Sequence, residues 1–275
     1  MPQAPLPLSG WFVVSLRPVG QHAAVRRAAL ELGAATISLP GLRLRSREDA
    51  PARRSLADAL DCERVVFTSP AAVRSATPLQ SRGTSRKSGT PERVALAKSA
   101  LTRSTVLAVG RGTAAALRRA GVDAVITPAD ETSEGLLALP ALRHVAGVPI
   151  GLVTAPGGRG LLASTLTARG ADLRIAEVYT RDPARLTQRH IDALLEATGS
   201  GAVLLSSAEA LTNVLAALPD AARTRLFDCT VVASSERLAA VARDTGFKRI
   251  AMAPSAQPRE MLAALVAHAK SRRFR

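Results

Sequence analysis

The sequence predicts an α/β fold of two similar lobes, each a parallel sheet flanked by helices. Three observations predict it. Apolar strand-type runs alternate with helix-type segments along the chain, as expected for parallel sheets covered on both faces. A strand–hydroxyl–helix pattern is written twice: Val65-Val66-Phe67-Thr68-Ser69-Pro70 runs into Ala71-Ala72-Val73, and Val203-Leu204-Leu205-Ser206-Ser207 runs into Ala208-Glu209-Ala210-Leu211. The segments that follow pair in the same order. Val106-Leu107-Ala108-Val109 matches Val231-Val232-Ala233, and Ile126-Thr127-Pro128 matches Met252-Ala253-Pro254. Two lobes make a cleft, where small molecules usually bind.

Taken in order, residues 1–9 are Pro-rich without a basic start or an apolar stretch. They read as a loose tail and not as a secretory signal. Residues 11–16 are strand-like, and 22–32 form an apolar-periodic helix stopped by Gly33. Their counterparts are the strand 149–154 and the helix 161–168, stopped by Gly170. The stretches 36–45 and 173–181 alternate apolar with polar or charged residues, which reads as exposed connectors. The chain is expected to cross between lobes at both. One lobe is then 10–36 plus 184–270, the other is 44–174 inserted into it, and 37–43 and 175–183 are the linker strands. Residues 77–91, rich in Ser, Gly and basic side chains, read as a surface loop, and 271–275 as a loose basic tail.

The chain has 275 residues, 47% of them hydrophobic, enough for two ordinary cores. No apolar run reaches the roughly 20 residues a membrane helix needs. Cys62 and Cys229 match no metal or redox spacing and read as small apolar residues near strand starts, which suits a reducing cytoplasm. A formal charge of +15 points to an anionic partner. The arginines are scattered along helices, as in Arg26-Arg27, Arg53-Arg54 and Arg118-Arg119, and aromatics are only 3%, too few to stack bases. That argues against nucleic acid and leaves a small anion in the cleft. His22, His144, His190 and His268 share no ligand spacing, and neither G-x-S-x-G nor H-E-x-x-H occurs. Gly110-Arg111-Gly112-Thr113-Ala114-Ala115 fits a dinucleotide-type G-x-G-x-x-A, but the next strand, 124–127, lacks the terminal acid that would hold a ribose.

Ser69 followed by Pro70 reads as an N-cap with Pro at the first helical position, and Ser206-Ser207 is its match. Helix starts attract carboxylates through their free N–H groups. Arg17, at the end of the first strand, and Arg159, after Gly157-Gly158, can each engage a carboxylate through two parallel hydrogen bonds, with a plain surface role as the alternative.

In their order along the chain, several motifs resemble the uroporphyrinogen-III synthase family of tetrapyrrole (haem) biosynthesis. They are Leu16-Arg17-Pro18, Phe67-Thr68-Ser69-Pro70-Ala71-Ala72-Val73, Ala108-Val109-Gly110-Arg111-Gly112-Thr113-Ala114, Thr132-Ser133-Glu134-Gly135-Leu136 and Glu177-Val178-Tyr179-Thr180-Arg181. The resemblance runs from Trp11 to Ala269. It implies two α/β lobes joined by a two-stranded antiparallel linker, and a monomeric enzyme that uses no metal and no cofactor. The implied substrate is hydroxymethylbilane, a linear tetrapyrrole with eight carboxylates, which is cyclised to uroporphyrinogen III with loss of water and inversion of ring D. Tyr179, the only tyrosine, stands where the family carries one near the departing hydroxyl. A phenol there can donate a proton or hydrogen bond. Thr113 stands at a family threonine, and Thr68, Ser69, Ser133, Ser206 and Ser207 are carried over as substrate-binding hydroxyls. In the second lobe the common Gly-x-x-Thr is replaced by Ser234-Ser235-Glu236-Arg237, so Ser234 or Ser235 would supply the contact. The rival from another class is a non-catalytic two-lobed module that binds a small polyanion.

Overall fold

A computed structural model describes residues 5–81, 101, 103–157 and 160–273. It divides into two compact units, Met1–Arg43 with Asp182–Arg275, and Leu44–Arg181. The chain opens with β1 (Trp11–Ser15), α1 (Ala23–Glu31) and β2 (Ala35–Ser38), and leaves the first unit through β3 (Leu42–Ser46). The second unit holds α2 (Ala50–Leu60), β4 (Arg64–Phe67), α3 (Pro70–Ser81), β5 (Thr105–Ala108), α4 (Arg111–Arg119), α5 (Ser133–Leu137), β6 (Pro149–Thr154), α6 (Gly160–Ala168) and β7 (Asp172–Glu177). The return runs through β8 (Tyr179–Pro183). Then come α7 (Gln188–Leu195), β9 (Ser200–Leu205), α8 (Ala208–Ala217), α9 (Asp220–Phe227), β10 (Thr230–Ala233), α10 (Glu236–Thr245), β11 (Ile250–Met252) and α11 (Pro258–Arg273).

The first unit's sheet has the order β11-β10-β9-β1-β2, and every neighbouring pair is parallel. The second unit's sheet is β5-β4-β6-β7, also parallel throughout, with Ile126 bridging parallel to Leu107 beyond β5. β3 and β8 pair with each other in an antiparallel two-stranded sheet. The doubled segments of the sequence occupy equivalent places. β4 and β9 are central, β5 and β10 lie next to them, and Ile126 and β11 come last. β6 with β7 corresponds to β1 with β2. The two sheets share one spatial order and differ in where the chain enters it.

Alternation explains why the second unit's sheet is buried twice. Val65, Phe67, Val106, Ala108 and Val153 join one apolar cluster with Leu56, Leu60, Ala72 and Leu117. Val66, Leu107, Ile150 and Leu152 join another with Leu136, Leu142, Leu162 and Leu166. Successive strand residues point to opposite faces, so each strand feeds both clusters. α2 starts on an Asp49 cap that accepts the Ala52 N–H at 2.8 Å. α1 and α6 end at Gly33 and Gly170, whose φ values of +84° and +78° suit the left-handed turn. Cys62 and Cys229 are free and buried just before β4 and β10, and desolvation pushes the Cys229 thiol up to about 11.

Five expectations from sequence need correction. The segment 1–9 is not loose at its inner end: Leu8 is fully buried with Val13, Val25 and Leu262, and its N–H donates to the Leu32 carbonyl. The stretch 36–45 is two strands, because β2 is an edge strand of the first sheet and only β3 pairs with β8. The stretch 173–181 divides likewise into β7, an edge strand of the second sheet, and β8. An edge strand is only partly covered, so polar residues interrupt its apolar run much as they do in a connector. The segment 77–91 begins as helix, since α3 runs to Ser81, while 82–91 lies outside the described residues. α11 extends to Arg273, into the expected tail of 271–275.

Gly151 sets how closely α2 packs on β6. A Cβ there would stand 1.9 Å from the Ala59 carbonyl oxygen, which is backbone and cannot turn aside. Gly151→Ala is expected to destabilise the second unit by about 3 kcal/mol, read as a lower urea midpoint; an unchanged midpoint would show that α2 is free to lift.

Candidate active site

Parallel strands end on one edge of their sheet, so the residues that follow them collect there. In the second unit β4 delivers Thr68-Ser69, β5 delivers Val109-Gly110, β6 delivers Ala155-Pro156-Gly157 and β7 delivers Val178-Tyr179. From β4 the chain goes on to β5 on one side, and from β6 to β7 on the other. The order therefore reverses between β4 and β6, the place where open α/β sheets bind ligands.

Two hydroxyls meet at that place. Ser69 Oγ and Tyr179 Oη are 3.0 Å apart, and either can be the donor. Ser69 also caps α3, accepting the Ala72 N–H at 3.1 Å. That bond fixes the Ser69 oxygen while leaving its own O–H free to turn toward the phenol. Tyr179 is buried, its ring in the apolar cluster with Phe67, Ala72 and Val153. Beside them Arg74 sits within electrostatic reach of the phenol; burial, then the Arg119 charge, lower its pKa, and Tyr179 acts the other way. Ser46 Oγ donates to Ser75 Oγ at 2.9 Å, tying β3 to α3.

The other candidates of this unit fall into distinct settings. Thr68 Oγ1 donates to the Thr154 hydroxyl and the Val153 carbonyl at 3.1 and 3.3 Å, so its hydroxyl joins β4 to β6. Thr113 is buried as the third residue of α4, and its N–H donates to the Gly110 carbonyl at 3.0 Å. Ser133 is buried as the first residue of α5, whose cap is Thr132, accepting the Gly135 N–H at 3.0 Å. Arg159 lies outside the described residues. At the Gly110 turn, a Cβ would meet the end of the Glu131 side chain, and Glu131 Oε1 takes the Arg111 Nε–H at 2.5 Å, so an ion pair stands beside the turn.

In the first unit the same edge carries Arg17, Ser206-Ser207 and Ser234-Ser235. Ser207 caps α8, accepting the Ala210 N–H at 3.2 Å, and Ser206 stands half-buried before it. Ser235 caps α10, accepting the Leu238 N–H at 3.4 Å, and Ser234 N–H donates to the Leu205 carbonyl at 3.2 Å. Counted from the caps, the counterpart of Thr113 is Leu238, a buried core residue. Arg17 donates to the Ala256 carbonyl, and desolvation lowers its pKa.

Sequence reasoning missed one pair. His22 Nδ1 and Ser15 Oγ lie 2.9 Å apart, both buried, at the end of β1 beside β9. The available signal was Ser15 itself, a polar residue closing the apolar run Trp11-Phe12-Val13-Val14, since buried hydroxyls need a partner. Among the described residues no group of three or more His, Cys, Asp or Glu could hold a metal ion, and no helix is long and apolar enough to cross a membrane.

Comparison with known proteins adds a family to this geometry. The family model described as HEM4, uroporphyrinogen-III synthase HemD, matches residues 23–263. The uroporphyrinogen-III synthase of Escherichia coli (strain K12) is 35% identical over 160 residues, which are 58% of this chain. The chain spans 65% of the length of that curated relative. A mutant uroporphyrinogen III synthase from the extremely thermophilic bacterium Thermus thermophilus superposes with a TM-score of 0.61 at 21% identity, covering 95% of this chain and 99% of that one. The uroporphyrinogen-III synthetase of Helicobacter pylori 26695 does so with 0.58 at 13% identity, covering 93% and 98%. At these identities the two structures speak for the fold.

His22 makes the first unit sensitive to acid. Burial, then the charges of Arg26, His190 and Arg17, lower its pKa from 6.5. The unfolded chain therefore takes up a proton near pH 6.5 that the folded chain refuses until lower pH. Stability from this site is complete above that pH and declines as pH falls below it. Urea midpoints at pH 7.5 and pH 5 are expected to differ less in His22→Asn, which can keep the bond to Ser15 without titrating. Equal differences in variant and wild type would remove His22 as the cause.

Proposed function

The chain belongs to the uroporphyrinogen-III synthase family, and we propose that it converts hydroxymethylbilane into uroporphyrinogen III, with loss of water and inversion of ring D. The observation that carries the chemistry is the contact between Ser69 and Tyr179 at the point where the second sheet's strand order reverses. Tyr179 gives its phenolic proton to the departing hydroxyl, which leaves as water. Ser69, anchored by the cap on α3, aims the phenol and donates to its oxygen as negative charge grows there. The first turn of α3 lies behind that serine and favours the same charge. The ring-A cation is attacked by the substituted carbon of ring D, and the spiro intermediate breaks and recloses inverted. The proton released as the macrocycle closes restores the phenol. Arg17, Ser206 and Ser234, at the corresponding edge of the first unit, are proposed as carboxylate-binding groups. Thr68, Thr113, Ser133, Ser207 and Ser235 are proposed as further substrate-binding hydroxyls, and Arg159 to take a carboxylate.

Freshly made hydroxymethylbilane tests the reaction. The isomer III product is expected, and isomer I alone, the spontaneous product, would reject it. General-acid help is typically worth 10²–10⁴-fold, so Tyr179→Phe should lower kcat by about 100-fold or more with the fold intact. Ser69→Ala should lower kcat less and cost about 1 kcal/mol of stability through the lost cap. Wild-type kcat in Tyr179→Phe would sink the acid role.

A further inference from the structure

Arg181 has the geometry of a substrate anchor. It stands two residues beyond Tyr179 on β8, so both side chains leave the same face of the strand, about 7 Å apart along it. Its Nη2 donates to the Pro156 carbonyl at 3.2 Å. Pro156 belongs to the turn after β6, beside the place where the strand order reverses. The next residue, Gly157, has φ +65°, and a Cβ on it would point at Arg181 Nη2 from 4.0 Å. That distance is ordinary van der Waals contact, and Arg181 is half-buried.

We propose that Arg181 binds a carboxylate of the pyrrole that loses its hydroxyl, and so sets that ring against Tyr179. This rests on the reading of Tyr179 given above. Eight carboxylates on four rings give each ring two acid side chains, so the ring bearing the hydroxymethyl group brings its own handle. An arginine can grip it through two parallel N–H···O bonds, which fix direction as well as distance. The Pro156 carbonyl holds the guanidinium in place before substrate arrives.

The test is steady-state kinetics of Arg181→Gln and Arg181→Lys beside Tyr179→Phe, with urea midpoints for each. Loss of a charge-assisted bond should raise KM about 10- to 100-fold in Arg181→Gln, with kcat lowered as well because the ring is no longer set against Tyr179. Arg181→Lys, which keeps the charge and loses the fork, should fall between, and it serves alone if the Gln variant does not fold. A KM within twofold of wild type in the folded variants overturns the proposal. So does an equal KM rise in both variants that tracks a lower urea midpoint, the mark of a strut for the turn. Isomer I alone from the wild type would instead reject the reading of Tyr179. Binding of uroporphyrin I, an octacarboxylic tetrapyrrole, followed by fluorescence, then reads Arg181 without turnover: weaker binding by Arg181→Gln supports the anchor, and equal or no binding overturns it.

Discussion

Parallel pairing is the constraint from which the arrangement of polar groups follows. A parallel strand must be re-entered from its starting edge, so each strand needs a return helix, and each helix begins where a strand has ended. Chain leaving β4, β5 or β6 therefore turns at the same edge of the second sheet, and β9 and β10 do the same in the first. Turns of this kind need a residue that satisfies a free helix N–H, and Ser69, Ser207 and Ser235 all serve in that way. The hydroxyls at these edges were required by the backbone before any ligand was considered.

Ser69 differs from the other two caps by what it meets. All three oxygens accept a helix N–H, but the Ser69 oxygen also contacts a phenol that is itself buried in an apolar cluster. A cap bond is worth about 1 kcal/mol, while a buried phenol left without a partner would cost about 1–3 kcal/mol. The same serine thus removes two liabilities, and its orientation is over-determined. A group placed so firmly can act on a third partner without reorganising, which is what an acid that assists a departing hydroxyl requires.

The architecture was legible because its signals are local and repeated. Val65-Val66-Phe67 and Val203-Leu204-Leu205 are continuous apolar runs, which only a sheet covered on both faces can bury, and Gly33 and Gly170 mark helix ends by a conformation that other residues resist. The bounds of β2, β3, β7 and β8 were not legible. An alternating strand is compatible with a sheet edge or a free ribbon, and only its hydrogen-bonded neighbour decides. Leu8 was hidden by the prolines around it, because composition averages over the one side chain that packs. At the candidate site, the caps at Ser69, Ser207 and Ser235 could be read from residue type, whereas the approach of Tyr179 to Ser69 spans 110 residues and depends on where β8 lies. The pair Ser15–His22 was closer in sequence, but its partners sit across a turn that pattern alone does not fold.

The shared strand order makes the differences between the units informative. If the two sheets were redundant, equivalent positions would carry equivalent chemistry. They do at the Ser69 and Ser207 caps. They do not at the third residue of the next helix, where Thr113 corresponds to Leu238, or at the cap before it, where Gly110 corresponds to Ser235. A Cβ on Gly110 would meet the end of the Glu131 side chain, which can turn aside, so the glycine there reflects no backbone demand. Tyr179 has no counterpart at all, being the only tyrosine and lying on a strand outside both parallel sheets. The repeated scaffold supplies capped helix starts in both units, and the unrepeated strand carries Tyr179, the acid proposed above. Chemistry on this fold is therefore expected to follow the asymmetric element: substitutions at repeated caps change stability first, and substitutions along β8 change turnover or binding.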